Sequence, residues 1–382
     1  MPDLVAMTGE APFSGYLPVR IRFGDGVAAE LPQILADAGL TKPFVVLDPN
    51  VPDPPIPAGA TVYEIARHEP TCESVEACGE ALRESGCDVV VAIGGGSALD
   101  TAKGARVVAF CGAPIRRFCW PGETVEPIPP SPYRLVTIPT TSGTGSEVTG
   151  GAVMYHEGHK ISGAHPNNRA DWTLVDPLLT HGLPLLPTLY TAADALAQAL
   201  AAVVVAARTP IGDAVGLEAT RICGLAMRAV AREPDAAARN QMALGSMMAG
   251  LAMNISEAGT EHSLGEPLGT LYHLPHGLTI GLMLAESMDV DRRHVPERFE
   301  RIADALGAPA DGTRDGSRAV RAVREILAET RFPTMRDSGV RDEDVELLAV
   351  RCREAWIPVE PGPWTHADIV GAYRAGLAIE RR

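Results

Sequence analysis

One carboxylate and two histidines in the second half of the chain are residue types from which metal-binding and proton-transfer sites are built. Asp194 stands alone in an alanine-rich segment, and His262 and His276 lie fourteen residues apart, the second within a Leu-Pro-His-Gly turn. An isolated histidine is usually a satisfied core or surface residue. A carboxylate among alanine, leucine and tyrosine is costly to bury, so Asp194 calls for a cation.

A glycine triplet indicates a second kind of chemistry, the binding of phosphate. In the segment Ile-Gly-Gly-Gly-Ser-Ala-Leu-Asp, residues 93–100, an apolar run leads through three glycines into an alanine-rich helix. Glycines let a backbone approach a ligand closely, and a helix start offers free N–H groups with positive partial charge. The segment suits a pyrophosphate, although a plain strand-to-helix turn would contain the same glycines. It is neither the GxGxxG fingerprint nor a Walker A loop.

A hydroxyl-rich segment follows the next apolar run. Residues 139–149, Pro-Thr-Thr-Ser-Gly-Thr-Gly-Ser-Glu-Val-Thr, place five hydroxyl side chains and two glycines before Glu147. Small donors at the C-terminal end of a parallel strand are typical of the ligand-binding edge of an open α/β sheet. A surface loop is the alternative, but two such segments at the ends of two strands favour a ligand site.

The spacing of apolar residues predicts the elements that position these groups. Continuous apolar runs at 45–47, 89–93 and 135–138 predict buried strands, with helices at 72–85 and 99–110. This alternation predicts a parallel sheet with right-handed crossovers. After Pro184 and Pro187, helical spacing takes over at 191–208, 211–231, 235–257, 296–307, 315–329 and 367–378. We expect an α/β dinucleotide-binding domain over residues 1–184 and a helical metal- and substrate-binding domain over residues 185–382.

Composition excludes several classes of partner. The 382 residues carry a formal net charge of −15 and no basic run, which argues against a nucleic-acid partner. No signal peptide is expected at the N-terminus, and no stretch of about 18 apolar residues predicts a membrane span. Seven cysteines without a CxxC pair predict reduced thiols and a cytoplasmic location.

The two loop segments, GGGSALDTAK and IPTTSGTGSEVT, resemble the nucleotide-loop signatures of iron-containing (group III) alcohol dehydrogenases. The resemblance extends through Gly24, Lys160, Val-Asp-Pro at 175–177, Leu-Pro at 183–184, Asp-Ala-Leu at 194–196 and Pro-His-Gly at 275–277. It implies an N-terminal Rossmann-like nucleotide domain and an all-α C-terminal domain, an architecture shared with dehydroquinate synthases. The implied reaction is hydride transfer between a nicotinamide and an alcohol, aldehyde or ketone.

The resemblance also implies which residues contact the cofactor. Lys160 would lie beside the nicotinamide ribose. Asp48 follows the first predicted strand, where a carboxylate can bind a 2′-hydroxyl and repel a 2′-phosphate, so we expect NAD(H) over NADP(H). Its alternative role is to start the Asp-Pro-Asn turn. The remaining implied cofactor contacts are Gly95, Gly96, Ser97, Asp100, Thr140, Thr141, Thr144 and Ser146.

Members of the family hold a divalent metal with one aspartate and three histidines. This chain has Asp194, His262 and His276 at three of these positions, but Gln198 where the fourth ligand is expected. Glu266 replaces a histidine that stands near the nicotinamide and substrate. The resemblance therefore leaves open a three-ligand Fe²⁺ or Zn²⁺ site, a site with an added oxygen from Gln198 or Glu266, and a metal-free site as in maleylacetate reductases.

A proton has to move together with the hydride. Glu266 or a water on the metal would serve where relatives use histidine, because an apolar cleft raises the pKa of a glutamate. Lys160 belongs to the same catalytic group, and His273 is a further relay candidate whose alternative is a solvated loop position. Two alternatives belong to other functional classes. One is a dehydroquinate synthase-like lyase that uses NAD transiently, and the other is a relative that binds nucleotide without catalytic activity. The expected partners are a small alcohol or aldehyde and further copies of the chain.

Overall fold

The computed structural model describes residues 19–67, 69–122 and 125–380, so the N-terminal segment in which we expect no signal peptide lies outside it. Its larger sheet contains β1 (Arg20–Phe23), β2 (Pro43–Leu47), β3 (Thr61–Glu64), β4 (Val89–Gly94), β5 (Arg134–Pro139) and β8 (Trp172–Val175). These six strands are parallel and lie in the order β1-β8-β5-β4-β2-β3. A separate antiparallel hairpin is formed by β6 (Gly151–His156) and β7 (His159–Ala164).

The central strands confirm the expectation drawn from the apolar runs. Every residue of β2 and β4 is buried, as continuous apolar sequences require when both faces of a sheet are covered. Leu47 pairs with Ile93, and Gly94 pairs with Pro139. The three strands therefore end at one edge, where Asp48 and the two loop segments emerge side by side.

Three helices accompany this sheet: α1 (Leu31–Asp37), α2 (Cys72–Ser85) and α3 (Gly96–Cys111). The predicted helix at 72–85 matches α2, which starts with a reciprocal capping box between Thr71 and Ser74. The predicted helix at 99–110 lies within α3, which begins directly after the extended residue Gly95. The sequence did not indicate α1, the hairpin or the strands β1, β3 and β8. Both β1 and β3 are short, largely exposed edge strands without an apolar run.

The described chain after residue 184 is helical and contains no strand. The fold is therefore the predicted combination of a Rossmann-like α/β half and an all-α half. The helices are α4 (Leu185–Val204), α5 (Pro210–Arg232), α6 (Ala236–Ile255), α7 (Thr260–Tyr272), α8 (His276–Asp291), α9 (Pro296–Ala305), α10 (Ser317–Glu329), α11 (Val345–Glu354) and α12 (His366–Leu377).

Three of these helices were not predicted, and two of them hold candidate site residues. Helix α7 contains Gly265, Pro267 and Gly269, which oppose helix formation in isolation. Helix α8 is buried on nearly all sides, so it has no polar stripe from which a helical period could be recognised. Burial in the helical core overrides both signals.

The two halves meet at a contact between glycines. Gly145, in the hydroxyl-rich loop, has a φ of +61°, and a Cβ added to it would lie 2.4 Å from Cα of Gly250 on α6. No side chain fits between these two backbones. The contact brings the loop of the α/β half directly against the helical half.

No helix in the described ranges is long and apolar enough to cross a membrane. All seven cysteines carry free thiols, and six of them are buried. Burial raises the pKa of the Cys78, Cys119 and Cys223 thiols to about 12. The cysteines are therefore core residues without enhanced reactivity.

Candidate active site

Asp194, His262 and His276 come together although they are contributed by three helices. One ligand atom from each residue lies within 4.8 Å of the other two. His262 Nε2 is 3.5 Å from Asp194 Oδ1, and His276 Nε2 is 3.8 Å from the same oxygen. The imidazole rings are 5.5 Å apart between centroids. The nitrogens thus converge on one carboxylate oxygen from two directions.

The position of each side chain within its helix fixes its place in the site. Asp194 lies in the middle of α4, whose residues 192–204 are all buried, so its carboxylate is only 2% exposed. His262 lies in the first turn of α7. His276 is the first residue of α8, directly after Pro275, whose conformation ends the preceding loop. The site therefore depends on one buried helix and two helix starts.

Two buried side-chain oxygens of α4 have no hydrogen-bond donor among the described residues. Within the described residues, neither Asp194 Oδ1 nor Gln198 Oε1 accepts a hydrogen bond of normal geometry, although both atoms are inaccessible to solvent. Buried acceptors are rarely left in this state. Gln198 lies one turn after Asp194 on the same face of α4. A divalent cation bound by Asp194 and the two imidazoles would satisfy the carboxylate, so the residues present fit a metal.

The titration of Asp194 and His276 suits ligands of a cation, whereas the carboxylates beside His262 favour its protonated form. Burial opposes ionisation of Asp194, but the adjacent His262 and His276 hold its pKa below the ordinary value. Burial and the neighbouring Lys160 ammonium lower the pKa of His276 to about 4, so this imidazole is neutral and able to donate a lone pair. Burial also opposes the charged form of His262, yet the carboxylates of Asp194 and Glu261 raise its pKa to about 9.

Glu261 was not identified from the sequence. Its Oε1 lies 2.9 Å from His262 Nδ1 and accepts a hydrogen bond from the backbone N–H of Gly259 at 3.2 Å. A carboxylate on the distal nitrogen fixes the ring orientation of a metal-binding histidine and leaves Nε2 for the metal. The only sequence signal was the position of Glu261 next to a candidate ligand, which is too common to predict a role.

Lys160 enters the cleft from the hairpin. Its Nζ lies 3.5 Å from His276 Nδ1 and 3.2 Å from Glu69 Oε2, and it stands over the Tyr155 ring at 5.4 Å from the centroid. Burial raises the pKa of Glu69, but the Lys160 ammonium outweighs it and the net pKa is lowered. The structure thus places Lys160 next to the metal cluster and adds Glu69 and Tyr155, which the sequence did not single out.

The glycine-rich and hydroxyl-rich loops lie against each other at the carboxyl edge of the sheet. A Cβ on Gly95 would lie 3.2 Å from Thr141 Cγ2, and one on Gly96 would lie 2.9 Å from Thr144 Cγ2. The Thr140 backbone N–H donates to the carbonyl of Gly94. The glycines of the first loop therefore let the threonine side chains of the second pack directly against its backbone.

Three of the predicted cofactor residues have internal partners. Asp100 accepts hydrogen bonds from Ser146 Oγ at 2.6 Å and from the backbone N–H of Val153 at 2.9 Å. Ser97 lies half-buried in the first turn of α3, where its carbonyl accepts from Thr101 Oγ1. The contacts of Asp100 hold α3 to the hydroxyl-rich loop and to the hairpin.

Asp48 has the turn-forming role that was considered as its alternative. Its Oδ1 accepts hydrogen bonds from the backbone N–H and the side-chain amide of Asn50, both at 2.9 Å, so it does cap the turn. A cavity of about 420 Å³ opens beside the turn and is lined by Pro49, Tyr63, Arg67 and Thr101 among others. The half-buried carboxylate also remains at the edge where the glycine-rich loop begins.

Glu266 and His273 lie apart from the metal cluster. Glu266 shares the helical face of His262, but it is outside the three-residue group, and its Oε1 accepts a hydrogen bond from Thr270 Oγ1 at 2.8 Å. His273 ends α7 in a left-handed conformation with a φ of +53° and is exposed. Neither residue belongs to the three-residue group.

Comparison with protein families matches the whole described fold. The model of the iron-containing alcohol dehydrogenases covers residues 18–177, and that of the C-terminal domain of Fe-containing alcohol dehydrogenases covers residues 188–377. The chain belongs to the iron-containing alcohol dehydrogenase family. It is therefore an oxidoreductase of the alcohol dehydrogenase and aldehyde reductase kind, in a family that uses a metal and NAD(H).

Similar proteins include sulfoacetaldehyde reductase of Bilophila wadsworthia, 32% identical over 89% of this chain and 92% of the relative. The NAD-dependent methanol dehydrogenase of Bacillus methanolicus is 31% identical over 87% and 91%. Among solved structures, 1,3-propanediol oxidoreductase has a TM-score of 0.87 at 25% identity, covering 96% of this chain and all of the other. These iron-containing alcohol dehydrogenase relatives are dehydrogenases or reductases, and they do not favour the lyase or metal-free alternatives.

Proposed function

We propose that this iron-containing alcohol dehydrogenase relative interconverts a small alcohol and its aldehyde or ketone with NAD(H), using Fe²⁺ or Zn²⁺ held by Asp194, His262 and His276. The observation that carries this proposal is the buried Oδ1 of Asp194, which has no hydrogen-bond donor within the described residues while two imidazole nitrogens lie 3.5 and 3.8 Å from it. When bound, the metal would supply a Lewis acid for the substrate oxygen and the nicotinamide would supply or accept the hydride.

Different parts of the chain would bind the cofactor, the metal and the substrate. Residues 1–184 would bind the dinucleotide through the two loops, and residues 185–382 would hold the metal and the substrate. Lys160 would hydrogen-bond at the nicotinamide side, where Glu69 keeps its ammonium in place at 3.2 Å. Gln198 would add an oxygen near the metal. Glu266 stays our candidate for proton exchange and His273 the weaker one, because a solvated position at the end of a helix suits a relay less well.

The preference for NAD(H) follows from a carboxylate at the sheet edge. Asp48 would accept a hydrogen bond from a 2′-hydroxyl and repel a 2′-phosphate. Arg67 lines the cavity next to Pro49, and its positive charge would favour the 2′-phosphate of NADP(H) instead. We further expect a homo-oligomer in the cytoplasm, consistent with seven free thiols.

Elemental analysis tests the metal site without knowledge of the substrate. Protein purified without chelator should contain close to one divalent metal per chain, and the His262→Ala/His276→Ala double variant should contain none. NADH binding, followed by its fluorescence, should persist in the double variant because neither histidine belongs to the two loop segments. Absence of metal from both proteins would refute the metal assignment.

A substrate panel tests the reaction itself. The names of the relatives suggest three aldehydes, namely sulfoacetaldehyde, 3-hydroxypropanal and formaldehyde. Each aldehyde is assayed with NADH and with Fe²⁺ or Zn²⁺. Oxidation of NADH that depends on both aldehyde and metal supports the proposal. Loss of substrate without net NADH oxidation would instead indicate the lyase alternative.

A further inference from the structure

The two candidate imidazole ligands have oppositely charged neighbours at Nδ1, the ring nitrogen that points away from Asp194. His262 Nδ1 lies 2.9 Å from Oε1 of the Glu261 carboxylate. His276 Nδ1 lies 3.5 Å from Nζ of the Lys160 ammonium. The two Nε2 atoms lie 3.5 and 3.8 Å from the same oxygen of Asp194. A metal-binding histidine is tuned by the group at its other nitrogen, so these two rings are not equivalent ligands.

The carboxylate of Glu261 determines which nitrogen of His262 is free for a metal. An ionised carboxylate only accepts hydrogen bonds, so the ring has to donate from Nδ1. The proton on Nδ1 stays in place whether or not Nε2 also carries one. Nε2 is therefore the single nitrogen whose lone pair can bind a metal. The negative charge behind the ring also makes that lone pair more basic.

The ammonium of Lys160 has the reverse effect on His276. An ammonium only donates hydrogen bonds, so Nδ1 is the acceptor and the single proton of the neutral ring belongs on Nε2. Nε2 can bind a metal only after this proton has moved to Nδ1, against the positive charge of Lys160. His276 is also the more open ring, with 34% of its side chain exposed compared with 13% for His262. Both differences weaken His276 as a ligand relative to His262.

A glycine makes room for the Glu261 carboxylate. Glu261 Oε1 accepts a hydrogen bond from the backbone N–H of Gly259 at 3.2 Å, and the glutamate side chain is only 6% exposed. A Cβ added to Gly259 would lie 2.7 Å from that oxygen. The backbone of Gly259 is extended, a conformation that any residue adopts. The need for glycine at this position is therefore steric, and it comes from the carboxylate.

We propose that Glu261 is a positioning residue that makes His262 the stronger histidine ligand of the metal, while Lys160 makes His276 the weaker one. This inference rests on the proposed function, because it requires a metal held by Asp194 and the two histidines. Among the three ligands only Asp194 is anionic, so Glu261 brings a second negative charge to a divalent ion across one imidazole. The histidines then release the metal in a fixed order, His276 before His262.

The chain offers two routes to disturb Glu261 and a matched control for each. Glu261→Gln keeps the shape of the side chain and removes its charge. Its control, Glu257→Gln, removes an exposed negative charge four residues earlier. Gly259→Ala displaces the carboxylate without changing any ligand, because the end of a side chain moves more easily than the backbone. Its control is Gly269→Ala on the same helix, where the added Cβ would have an ordinary contact at 3.7 Å.

The first experiment measures how fast the Zn²⁺-loaded protein loses its metal to a chelator. We expect Glu261→Gln to speed the loss about 10- to 100-fold, the effect of removing the partner of a metal-binding histidine. Gly259→Ala should act in the same direction and keeps the test open if Glu261→Gln does not fold. Both controls should stay within about twofold of the wild type. Lys160→Met should slow the loss. Wild-type rates in Glu261→Gln and Gly259→Ala, or faster loss from Lys160→Met, would overturn the proposal.

A second experiment follows the histidine N–H protons of the Zn²⁺-loaded protein by NMR, a signature that a merely structural role of Glu261 would leave unchanged. The Nδ1 proton of His262 should resonate further upfield in Glu261→Gln, because a neutral amide is a weaker acceptor than a carboxylate. The corresponding proton of His276 should keep its position. An unchanged His262 signal would contradict the proposed contact.

Single replacements compare the two histidines directly. His276→Ala should bind Zn²⁺ about tenfold or more tightly than His262→Ala, because it retains the ligand that Glu261 supports. Equal dissociation constants, or the reverse order, would overturn the proposal. If the wild-type protein binds no Zn²⁺, the proposed function fails first. If it binds Zn²⁺ and the variants do not differ from it, only the present inference fails.

Discussion

Lys160 Nζ lies 3.5 Å from His276 Nδ1 and 3.2 Å from Glu69 Oε2, so one side chain links the three clustered residues to the carboxylate of Glu69. Replacing Lys160 by methionine would leave the Glu69 carboxylate without this cation and the cleft without a donor. We expect kcat/KM to fall about 100-fold, the effect of losing one well-placed charged donor. Metal content should remain at one per chain, because the three ligands are unchanged. An unchanged kcat/KM would contradict this role.

Gln198 is the position at which a fourth metal ligand can be restored. Its buried Oε1 lacks a hydrogen-bond donor among the described residues, and it lies one turn from Asp194. Gln198→His should add an imidazole and slow loss of the metal to a chelator by about tenfold or more, since a fourth protein ligand completes the coordination. Gln198→Ala should leave three ligands and lose metal at least as fast as the wild type. Faster loss from the histidine variant would show that Gln198 faces away from the ion.

The Asp48 turn offers a test of cofactor preference with an internal control. Asp48→Ala removes the carboxylate, and we expect the NADH to NADPH affinity ratio to fall about tenfold, which corresponds to one hydrogen bond to a charged group. Asn50→Ala removes the side-chain hydrogen bond from Asn50 to Asp48 and weakens the same turn, but it keeps the backbone donor and the carboxylate. Its affinity ratio should change little. Equal changes in both variants would assign Asp48 to the turn alone.

The contact between the two halves predicts a steric effect at Gly250. A Cβ there would lie 2.6 Å from Cα of Gly145, whereas one at Gly371 on α12 would meet nothing within 4 Å. Gly250→Ala should destabilise the protein by about 1–3 kcal/mol through overpacking and weaken NADH binding as the loop shifts. Gly371→Ala should stabilise it by about 0.5–1 kcal/mol through helix propensity. Thermal unfolding and NADH titration of both variants measure the difference.

Asp291 gives the protein a pH-dependent stability that is unrelated to the cluster of ligands. Burial raises its pKa to about 7, although hydrogen bonds from Thr260 and Trp364 favour ionisation; the charges of Glu261 and Glu360 add to the rise. The carboxyl ionises near pH 4 when unfolded, so its contribution is complete below that pH and is lost as pH rises to 7. Asp291→Asn should remove this loss and gain on the order of 2 kcal/mol relative to wild type between pH 5 and pH 8. Parallel pH profiles of unfolding would contradict it.

The sequence predicted the elements whose apolar residues follow a recognisable pattern. Strands buried on both faces, such as β4, are continuous apolar runs, and the long helices have clear spacing. Helix α8 and the edge strand β3 were missed, because the first has no polar face and the second has no apolar one.

The candidate site was predictable where residue type and family signature coincide, as at Asp194, His262 and His276. Glu261 and Glu69 were missed, because a single acidic residue next to a ligand or in a loop has no distinctive pattern.

The meeting of Gly145 and Gly250 determines how the cleft can change its width. Side chains that separate two domains can switch rotamers and so adjust a gap in small steps, but two backbones in direct contact have no such freedom. Gln198 Oε1 lies only 3.5 Å from the Cβ position of Gly145, so the same contact spaces the nucleotide loop from the helix that carries Asp194. The separation between the hydroxyl-rich loop and the helix that carries Asp194 is therefore set by a contact of main chain against main chain, which a change of side-chain rotamer cannot adjust.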